Sequence, residues 1–157
     1  VLLGIQAVGL DNCAVNCDLI EKDGNIYVIE ITGRAGATCL PETVGLYYGI
    51  NYYEAIVRLA MNMEPEKLFA GHKPQQSSLS RILTSDRSGI VKEIHNTNSS
   101  AEDIIDLSFN IQPGDQVNRY ENGRDRIGQV ILTGENLDAC EKRLEDILSK
   151  INIEFTV

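Results

Sequence analysis

Residues 16–34 read NCDLIEKDGNIYVIEITGR, a stretch in which two strand-forming runs flank a tight turn. The runs, Cys13–Glu21 and Asn25–Thr32, carry the β-branched and aromatic side chains that suit a strand. Between them, Lys22-Asp23-Gly24-Asn25 has the composition of a hairpin turn, because Asp-Gly readily adopts the positive φ angles that such a turn needs. The sequence therefore predicts an antiparallel β-hairpin.

The hairpin carries an acid on each strand, Asp18 and Glu30. Two carboxylates on adjacent strands can hold Mg²⁺ and bridge it to phosphate oxygens, because this ion prefers hard oxygen ligands. A two-residue loop pairs Asp18 with Ile29 and turns Glu30 to the opposite face, whereas a three-residue loop places both acids on one face. A shared metal therefore requires the odd loop, and the alternative is a pair of ordinary solvent-facing strand residues. Glu30 has apolar neighbours, among which a charge costs free energy unless it has a partner, and this favours the metal.

Helices are predicted on both sides of the hairpin. Val1–Gly9 has apolar residues at helical spacing and ends at a glycine, which indicates the end of a helix that begins upstream. After the glycine-rich loop Gly33–Thr38, Pro41 suits the first turn of a second helix, which Gly45 and Gly49 interrupt.

A third helix is predicted from Asn51, whose side chain can cap it together with Glu54, to about Met61. Its apolar positions recur at the spacing of one helical face: Tyr53, Ile56, Val57, Ala60 and Met61. Residues 63–80 contain prolines, glycine and a Gln-Gln-Ser-Ser run, and we interpret them as a connecting segment.

The second half predicts a smaller α+β domain, an antiparallel sheet covered by one helix. The predicted strands are Arg81–Thr84, Gly89–His95, Ile104–Ile111, Gln116–Tyr120, Arg126–Thr133 and Ile151–Val157. The helix is capped by Asn136 and runs to about Lys150, with a buried face of Leu137, Cys140, Leu144, Ile147 and Leu148. The whole chain is thus expected to be α+β.

The composition and net charge of the chain limit the kinds of partner that it is expected to bind. The 157 residues carry a formal net charge of −9, and no basic face is visible, which argues against a nucleic-acid partner. No run of about 18 apolar residues exists, so we expect no membrane association. The cysteines, Cys13, Cys17, Cys39 and Cys140, form no metal-binding spacing, and without a secretory signal we expect free thiols in a reducing cytoplasm.

The strand Val28-Ile29-Glu30-Ile31-Thr32-Gly33-Arg34 resembles the Glu-x-Asn-x-Arg strand of the ATP-grasp ligases. Asp18 falls where that family has an earlier metal-binding acid. The resemblance implies ATP and Mg²⁺ as cofactors, with Asp18, Glu30 and Thr32 as metal ligands and Arg34 as a catalytic and substrate-binding residue. Two residues depart from the family pattern: Asp18 stands where Glu is commoner, and Thr32 stands where Asn is usual.

The residues that follow resemble the substrate-side loop of ATP-grasp amide-forming ligases. This loop is Gly33-Arg34-Ala35-Gly36-Ala37-Thr38-Cys39-Leu40-Pro41-Glu42, and such loops expose backbone N–H groups that can hold an anion. The resemblance implies substrate contacts from Gly36, Thr38, Cys39 and Glu42. Cys39 has no visible partner base, so a nucleophilic role is not expected.

The order of turns and strands from Gly89 to Asn136 is similar to the C-terminal domain of biotin carboxylase and of L-amino-acid ligases. We therefore expect residues 1–62 to be the end of an ATP-grasp core, 63–80 to connect, and 81–157 to be a biotin-carboxylase-like C-terminal domain. The lysine-bearing strand and the glycine-rich phosphate loop of the family are expected in a missing N-terminal part of the same protein.

The resemblance implies a ligase that activates a small carboxylate with ATP as an acyl-phosphate, which an amine or another nucleophile then attacks. An isolated piece of this kind is expected to be inactive. Three alternatives stay open: a biotin-carboxylase-like enzyme, a purine-biosynthetic ATP-grasp enzyme (a carboxylase, or a synthetase of the glycinamide or carbamoyl-phosphate type), and a non-catalytic binding or dimerisation module. The resemblance also leaves room for a homodimer, because surface normally covered by the missing part would be apolar and would favour self-association.

Overall fold

The structure, a computed structural model, describes residues 1–64 and 69–156. It divides into two compact units, Val1–Lys73 and Pro74–Val157. Part of the predicted connecting segment, residues 65–68, and the last residue of the predicted final strand, Val157, lie outside the described residues. Both units combine helices with antiparallel strands, which confirms the predicted α+β class.

The first unit contains one β-hairpin and three helices in its described part. Its elements are α1 (Leu2–Ala7), β1 (Asn16–Lys22), β2 (Asn25–Thr32), α2 (Leu40–Tyr48) and α3 (Tyr52–Ala60). The hairpin turns through Asp23 and Gly24, which both have positive φ angles, 54° and 74°. This is the tight two-residue turn that the Asp-Gly pair predicts.

Helix α2 corrects one prediction, because it runs through Gly45 without interruption. A Cβ atom on Gly45 would lie 2.8 Å from the carbonyl oxygen of Ile50, so glycine serves here for the close approach of the following turn. Gly49 does end the helix, in the left-handed conformation typical of a C-cap.

Helix α3 has the predicted limits, with the Asn51 side chain accepting a hydrogen bond from the backbone N–H of Glu54 at 3.0 Å. Its predicted buried face is wrong. Tyr53, Val57 and Met61 are 52%, 56% and 65% exposed, and Ala60 is also exposed. The helix instead turns Tyr52, Ala55, Ile56 and Leu59 inward, toward residues 13–15 and Phe69. Because two overlapping apolar stripes both satisfy helical spacing, only tertiary contacts select between them.

The second unit contains two three-stranded antiparallel sheets where the sequence predicts one. Its elements are β3 (Ser77–Leu83), β4 (Gly89–Asn96), β5 (Ile104–Phe109), β6 (Gln116–Val117), a 3₁₀ turn (Gly123–Asp125), β7 (Gly128–Gly134), α4 (Leu137–Ser149) and β8 (Ile151–Thr156). The strand orders are β3-β7-β5 and β6-β4-β8. Strand periodicity does not encode the partner of a strand, and so it could not separate the two sheets.

Two strand limits differ for identifiable reasons. Strand β3 begins at Ser77, inside the predicted connecting segment, because it pairs with β7 along its whole length. Strand β6 stops at Val117, because the backbone N–H groups of Arg119 and Tyr120 bond instead to Ser88 and Ser85.

One apolar cluster joins the two sheets and α4. It consists of Leu83, Val91, Val117, Ile127, Val130, Leu132, Cys140, Leu144 and Ile147. Leu137 and Leu148, predicted on the buried face of α4, are exposed and lie at the margins of that face. No helix in the described ranges, 1–64 and 69–156, is long and apolar enough to span a bilayer.

Candidate functional site

The two hairpin acids face each other across the strand pair. The turn has two residues, which by regular pairing would set Asp18 opposite Ile29, but the register shifts between Asp18 and Leu19. Leu19 pairs with Val28 and Asp18 pairs with Glu30, so Ile29 is an extra residue in β2, a β-bulge. The expectation that Asp18 and Glu30 share a face only with a three-residue loop is therefore wrong. The loop has two residues, and the bulge in β2 supplies the extra residue instead.

A second pair of oxygen-bearing residues lies beside the acids. Asn16 pairs with Thr32, two residues along each strand, and so lies on the same face as Asp18 and Glu30. The Asn16 amide donates a hydrogen bond to Asp18 Oδ1 at 3.1 Å, and the Thr32 hydroxyl donates a long one of 3.5 Å to the Asn16 carbonyl oxygen. Sequence reasoning missed Asn16, although strand alternation alone places it on the face of Asp18.

The apolar context of Glu30 differs from the sequence-based expectation. Val28 and Ile29 are 45% and 61% exposed, and Glu30 is exposed as well. Burial among the described residues therefore does not desolvate its carboxylate. The apolar sequence neighbours of Glu30 thus give no argument for a bound metal. The pairing with Asp18 is the remaining structural support.

The loop after β2 bends through two non-glycine residues in the left-handed region. Thr38 and Cys39 have φ angles of 55° and 64°, and Cys39 is the N-cap of α2 without capping it through a side chain. A β-branched residue such as Thr rarely adopts this conformation, and such local strain is concentrated at functional sites. Cys39 is only 9% exposed, so the loop presents its backbone more than its thiol.

Close approach explains the glycine at position 36. A Cβ atom there would lie 2.9 Å from Asn16 Oδ1 and 2.8 Å from Leu40 Cδ1. The loop thus passes directly over the Asn16 end of the acid-bearing face. Arg34 is exposed and donates a hydrogen bond of 2.8 Å to the carbonyl oxygen of Ala35.

Glu42, in the first turn of α2, has an asymmetric environment. Its Oε1 accepts a hydrogen bond of 2.6 Å from the phenol of Tyr53, whereas its Oε2 is buried and has no hydrogen-bond partner among the described residues. The hydrogen bond to Glu42 raises the pKa of Tyr53 to about 12, with burial and the Glu42 charge adding to the effect. Tyr53, which the sequence predicts only on the apolar face of α3, is thus a second residue besides Asn16 that contacts the candidate site without being predicted there.

The remaining chemically interesting residues do not join this site. Asp125 caps the 3₁₀ turn by accepting from the N–H groups of Glu121 and Asn122, and these bonds lower its pKa. The ring of His72 lies 3.3 Å from the carbonyl oxygen of Tyr48. No disulfide joins the four cysteines, which all lie in the described ranges: Cys39 and Cys140 are buried, Cys17 is half-buried and Cys13 is exposed.

This chain is similar to a known domain family and to several solved structures. Residues 81–156 match the family described as L-amino acid ligase C-terminal domain 2. The structure resembles phosphoribosylglycinamide synthetase from Anaerococcus prevotii, with a TM-score of 0.90 and 42% identity over 97% of this chain and 39% of that one. None of the curated proteins searched matches the sequence.

Two more distant structures share the fold. L-amino acid ligase from Bacillus licheniformis has a TM-score of 0.83 and 18% identity over 98% of this chain and 38% of that one. Biotin carboxylase from Campylobacter jejuni has a TM-score of 0.69 and 14% identity over 96% of this chain and 34% of that one. The chain therefore spans less than two-fifths of the length of these structures.

This chain resembles structures of ATP-grasp ligases, which confirms the resemblance seen in the sequence. Its mixture of helices and antiparallel sheets matches the C-terminal region of such ligases. Within it, residues 81–156 form the domain shared with the L-amino acid ligases.

Proposed function

We propose that this chain supplies the metal-holding and substrate-side part of an ATP-dependent ligase that joins a carboxylate to an amine through an acyl-phosphate. The observation that carries the proposal is the bulge at Ile29, which sets Asp18 opposite Glu30. Opposite faces would have favoured a non-catalytic binding module, so the shared face supports the ligase.

The donor set on this face fits Mg²⁺. Asp18 and Glu30 offer carboxylates, Thr32 a hydroxyl and Asn16 an amide oxygen, and all are the hard oxygen ligands that this ion takes. We propose Asp18, Glu30 and Thr32 as ligands, with Asn16 holding Asp18 in place and compensating for the Asn that Thr32 replaces. Bound Mg²⁺ would offset the negative charge of the ATP phosphates.

The loop and the start of α2 would hold the other reactant. Arg34 uses one N–H group on Ala35, and its fork would bind the carboxylate or the phosphate bidentately. The backbone at Gly36, Thr38 and Cys39, next to the positive end of α2, would contact an anionic group.

Glu42 would bind the positively charged group of the substrate. Its buried Oε2 lacks a hydrogen-bond partner among the described residues, and a buried acceptor without one costs free energy. A substrate ammonium donating to that oxygen would remove the cost. This supports an amino acid, or another small amine, at the start of α2.

Formation of a phosphoribosylglycinamide-type product is the second candidate, favoured by the 42% identity to the Anaerococcus prevotii enzyme. A biotin-carboxylase-like activity has only the shared fold in its support. Assays of the full-length protein with pairs of amino acids, and separately for phosphoribosylglycinamide formation, would distinguish the two leading candidates.

The test of the metal role is Glu30→Gln in the full-length protein. We expect ATP-dependent phosphate release to fall by at least about a hundredfold, since an anionic carboxylate ligand is replaced by a neutral amide that binds the metal more weakly, with the far-UV circular dichroism unchanged. Glu21→Gln is the matched control. It removes the same charge from the opposite face of the hairpin, and glutamine can still accept the turn hydrogen bond from the N–H of Gly24. Retained activity in Glu30→Gln would contradict the metal role.

The other part of the active site is proposed to come from the N-terminal part of the same protein. Six exposed apolar side chains on β1 and β2 support a covering partner: Leu19, Ile20, Ile26, Tyr27, Val28 and Ile29. We expect the purified 157-residue chain to release no phosphate from ATP with amino-acid substrates, and clear turnover would contradict this division of the site. A homodimer that covers the same side chains is the alternative, which sedimentation of the 157-residue chain would reveal.

A further inference from the structure

Three potential metal ligands meet on the second unit, on strands β4 and β8. Strand β4 contains a bulge at Lys92, since Val91 pairs with Phe155 and Glu93 with Glu154. This register sets Glu93 directly opposite Glu154, and His95 follows two residues after Glu93 on the same face. We call Glu93, His95 and Glu154 the β4–β8 cluster.

The distances from the imidazole nitrogen to the two carboxylates match those between ligands of one metal ion better than those of direct hydrogen bonds. His95 Nε2 lies 3.5 Å from Glu93 Oε2 and 3.4 Å from Glu154 Oε1, both longer than the usual N–H···O distance of about 2.7–3.2 Å. Ligand bonds of about 2.0–2.1 Å in a tetrahedral zinc site leave neighbouring ligand atoms about 3.3–3.4 Å apart. One ligand atom from each residue lies within 4.8 Å of the other two.

The contacts and the exposure of the β4–β8 cluster favour the binding of a cation. Lys92 Nζ pairs with Glu154 Oε2 at 2.9 Å, which leaves Oε1 of the same carboxylate facing His95. The three side chains are between 40% and 58% exposed, so an ion could enter and water could complete its coordination.

We propose that Glu93, His95 and Glu154 bind a divalent transition-metal ion, Zn²⁺ foremost, at a site that tethers strand β8 to β4. One imidazole and two carboxylates on rigid, paired strands form a three-ligand set with an open position for water. The imidazole favours zinc over magnesium, which prefers oxygen alone. Because β8 is an edge strand, a bound ion would hold the end of the described chain in its sheet.

The experiment titrates ZnCl₂ into the 157-residue chain and follows the His95 ring and the β4 and β8 amides by NMR. Site-resolved detection is needed, because Cys13 is an exposed thiol that also attracts zinc. We expect saturable shifts of the His95 ring signals. His95→Gln, Glu93→Gln and Glu154→Gln should each weaken zinc affinity at this site by about tenfold or more. MgCl₂ at the same concentrations should leave these signals in place.

The matched control is His72→Gln, which removes the other histidine of the chain and should leave zinc binding at β4 and β8 unchanged. The isosteric Glu→Gln variants keep the test valid if His95→Gln unfolds. Unchanged His95 signals at 1 mM zinc, on the order of a thousand times a micromolar dissociation constant, would overturn the proposal and leave an ion-pair cluster only. Loss of all zinc binding in a Cys13→Ser, Cys17→Ser chain would overturn it equally.

Discussion

Tyr53 and Glu42 connect α3 to the start of α2 through a single short hydrogen bond. The phenol donates its proton to a carboxylate whose second oxygen is buried without a partner among the described residues. The pair therefore fixes one lone-pair direction of Glu42 and leaves the other available. Tyr53, which helical spacing predicts on the buried face of α3, thus positions a candidate substrate-binding acid instead.

The tyrosine gives a prediction about pH. The Glu42 hydrogen bond raises the pKa of Tyr53 to about 12, above the ordinary value of about 10. Since the folded-state pKa is raised, the bond stabilises the fold below about pH 10, and this contribution is lost as the pH rises through about 12. We expect Glu42→Gln to return the Tyr53 pKa toward 10, measured from its ring carbon shifts by NMR.

Glu54→Gln is the control for this measurement. Glu54 is also an acid of α3, but it pairs with Arg58 at 2.7 Å and not with Tyr53. The Tyr53 titration should not move in this variant. An equal shift in both variants would show that general charge, and not the hydrogen bond, sets the Tyr53 pKa.

At the scale of the element, the hairpin depends on one extra residue. Eleven residues separate Asp18 from Glu30 in sequence, and a regular ladder closed by a two-residue turn would separate them onto opposite faces. Ile29 is the extra residue, and because it forms a bulge, Asp18 pairs with Glu30 on the same face. The site geometry is therefore a property of strand register rather than of loop length.

A pair of deletions tests the register. Removing Ile29 should leave Asp18 opposite Glu30, now in a regular ladder, because only the bulged residue is lost. Removing Leu19 from the partner strand should instead move Asp18 opposite Val28. Cross-strand NOE contacts between residues 18 and 30 should persist in the first variant and disappear in the second. In the unmodified chain, cross-strand contacts of Asp18 to Ile29 in place of Glu30 would contradict the assigned bulge.

At the scale of the whole chain, the two units differ in how much apolar surface they bury. Ten buried hydrophobic residues among the described ones belong to the second unit, whereas only Cys39, Pro41 and Ala55 are buried apolar side chains of the first unit. The second unit has a continuous core centred on β7, in which Val130 and Leu132 are fully buried. Burial of apolar surface is the main source of stability, so we expect the units to differ in stability.

Hydrogen exchange measures this difference. In the 157-residue chain, we expect amides of β1 and β2 to open at a free-energy cost lower by about 3 kcal/mol or more than those of β7. In the full-length protein the hairpin amides should become protected, because their apolar side chains are then proposed to be covered. Equal protection of both units in the 157-residue chain would show that the first unit needs no covering partner.

The sequence by itself determined the local elements with direct chemical signals. Asp23-Gly24 specified the hairpin turn, Asn51 and Asn136 specified helix starts through their capping side chains, and Gly49 specified a helix end. The motif around Glu30 also sufficed to indicate the superfamily. These signals succeed because each depends on the backbone preference or hydrogen bonding of a few adjacent residues.

Only the tertiary structure decided the features that depend on distant partners. It divided one predicted sheet into two, chose which stripe of α3 is buried, and placed the bulge that unites Asp18 with Glu30. It also brought Asn16 and Tyr53 to the candidate site. The physical reason is that spacing along the chain fixes which residues share a face, while the partner of that face is selected by packing across the fold.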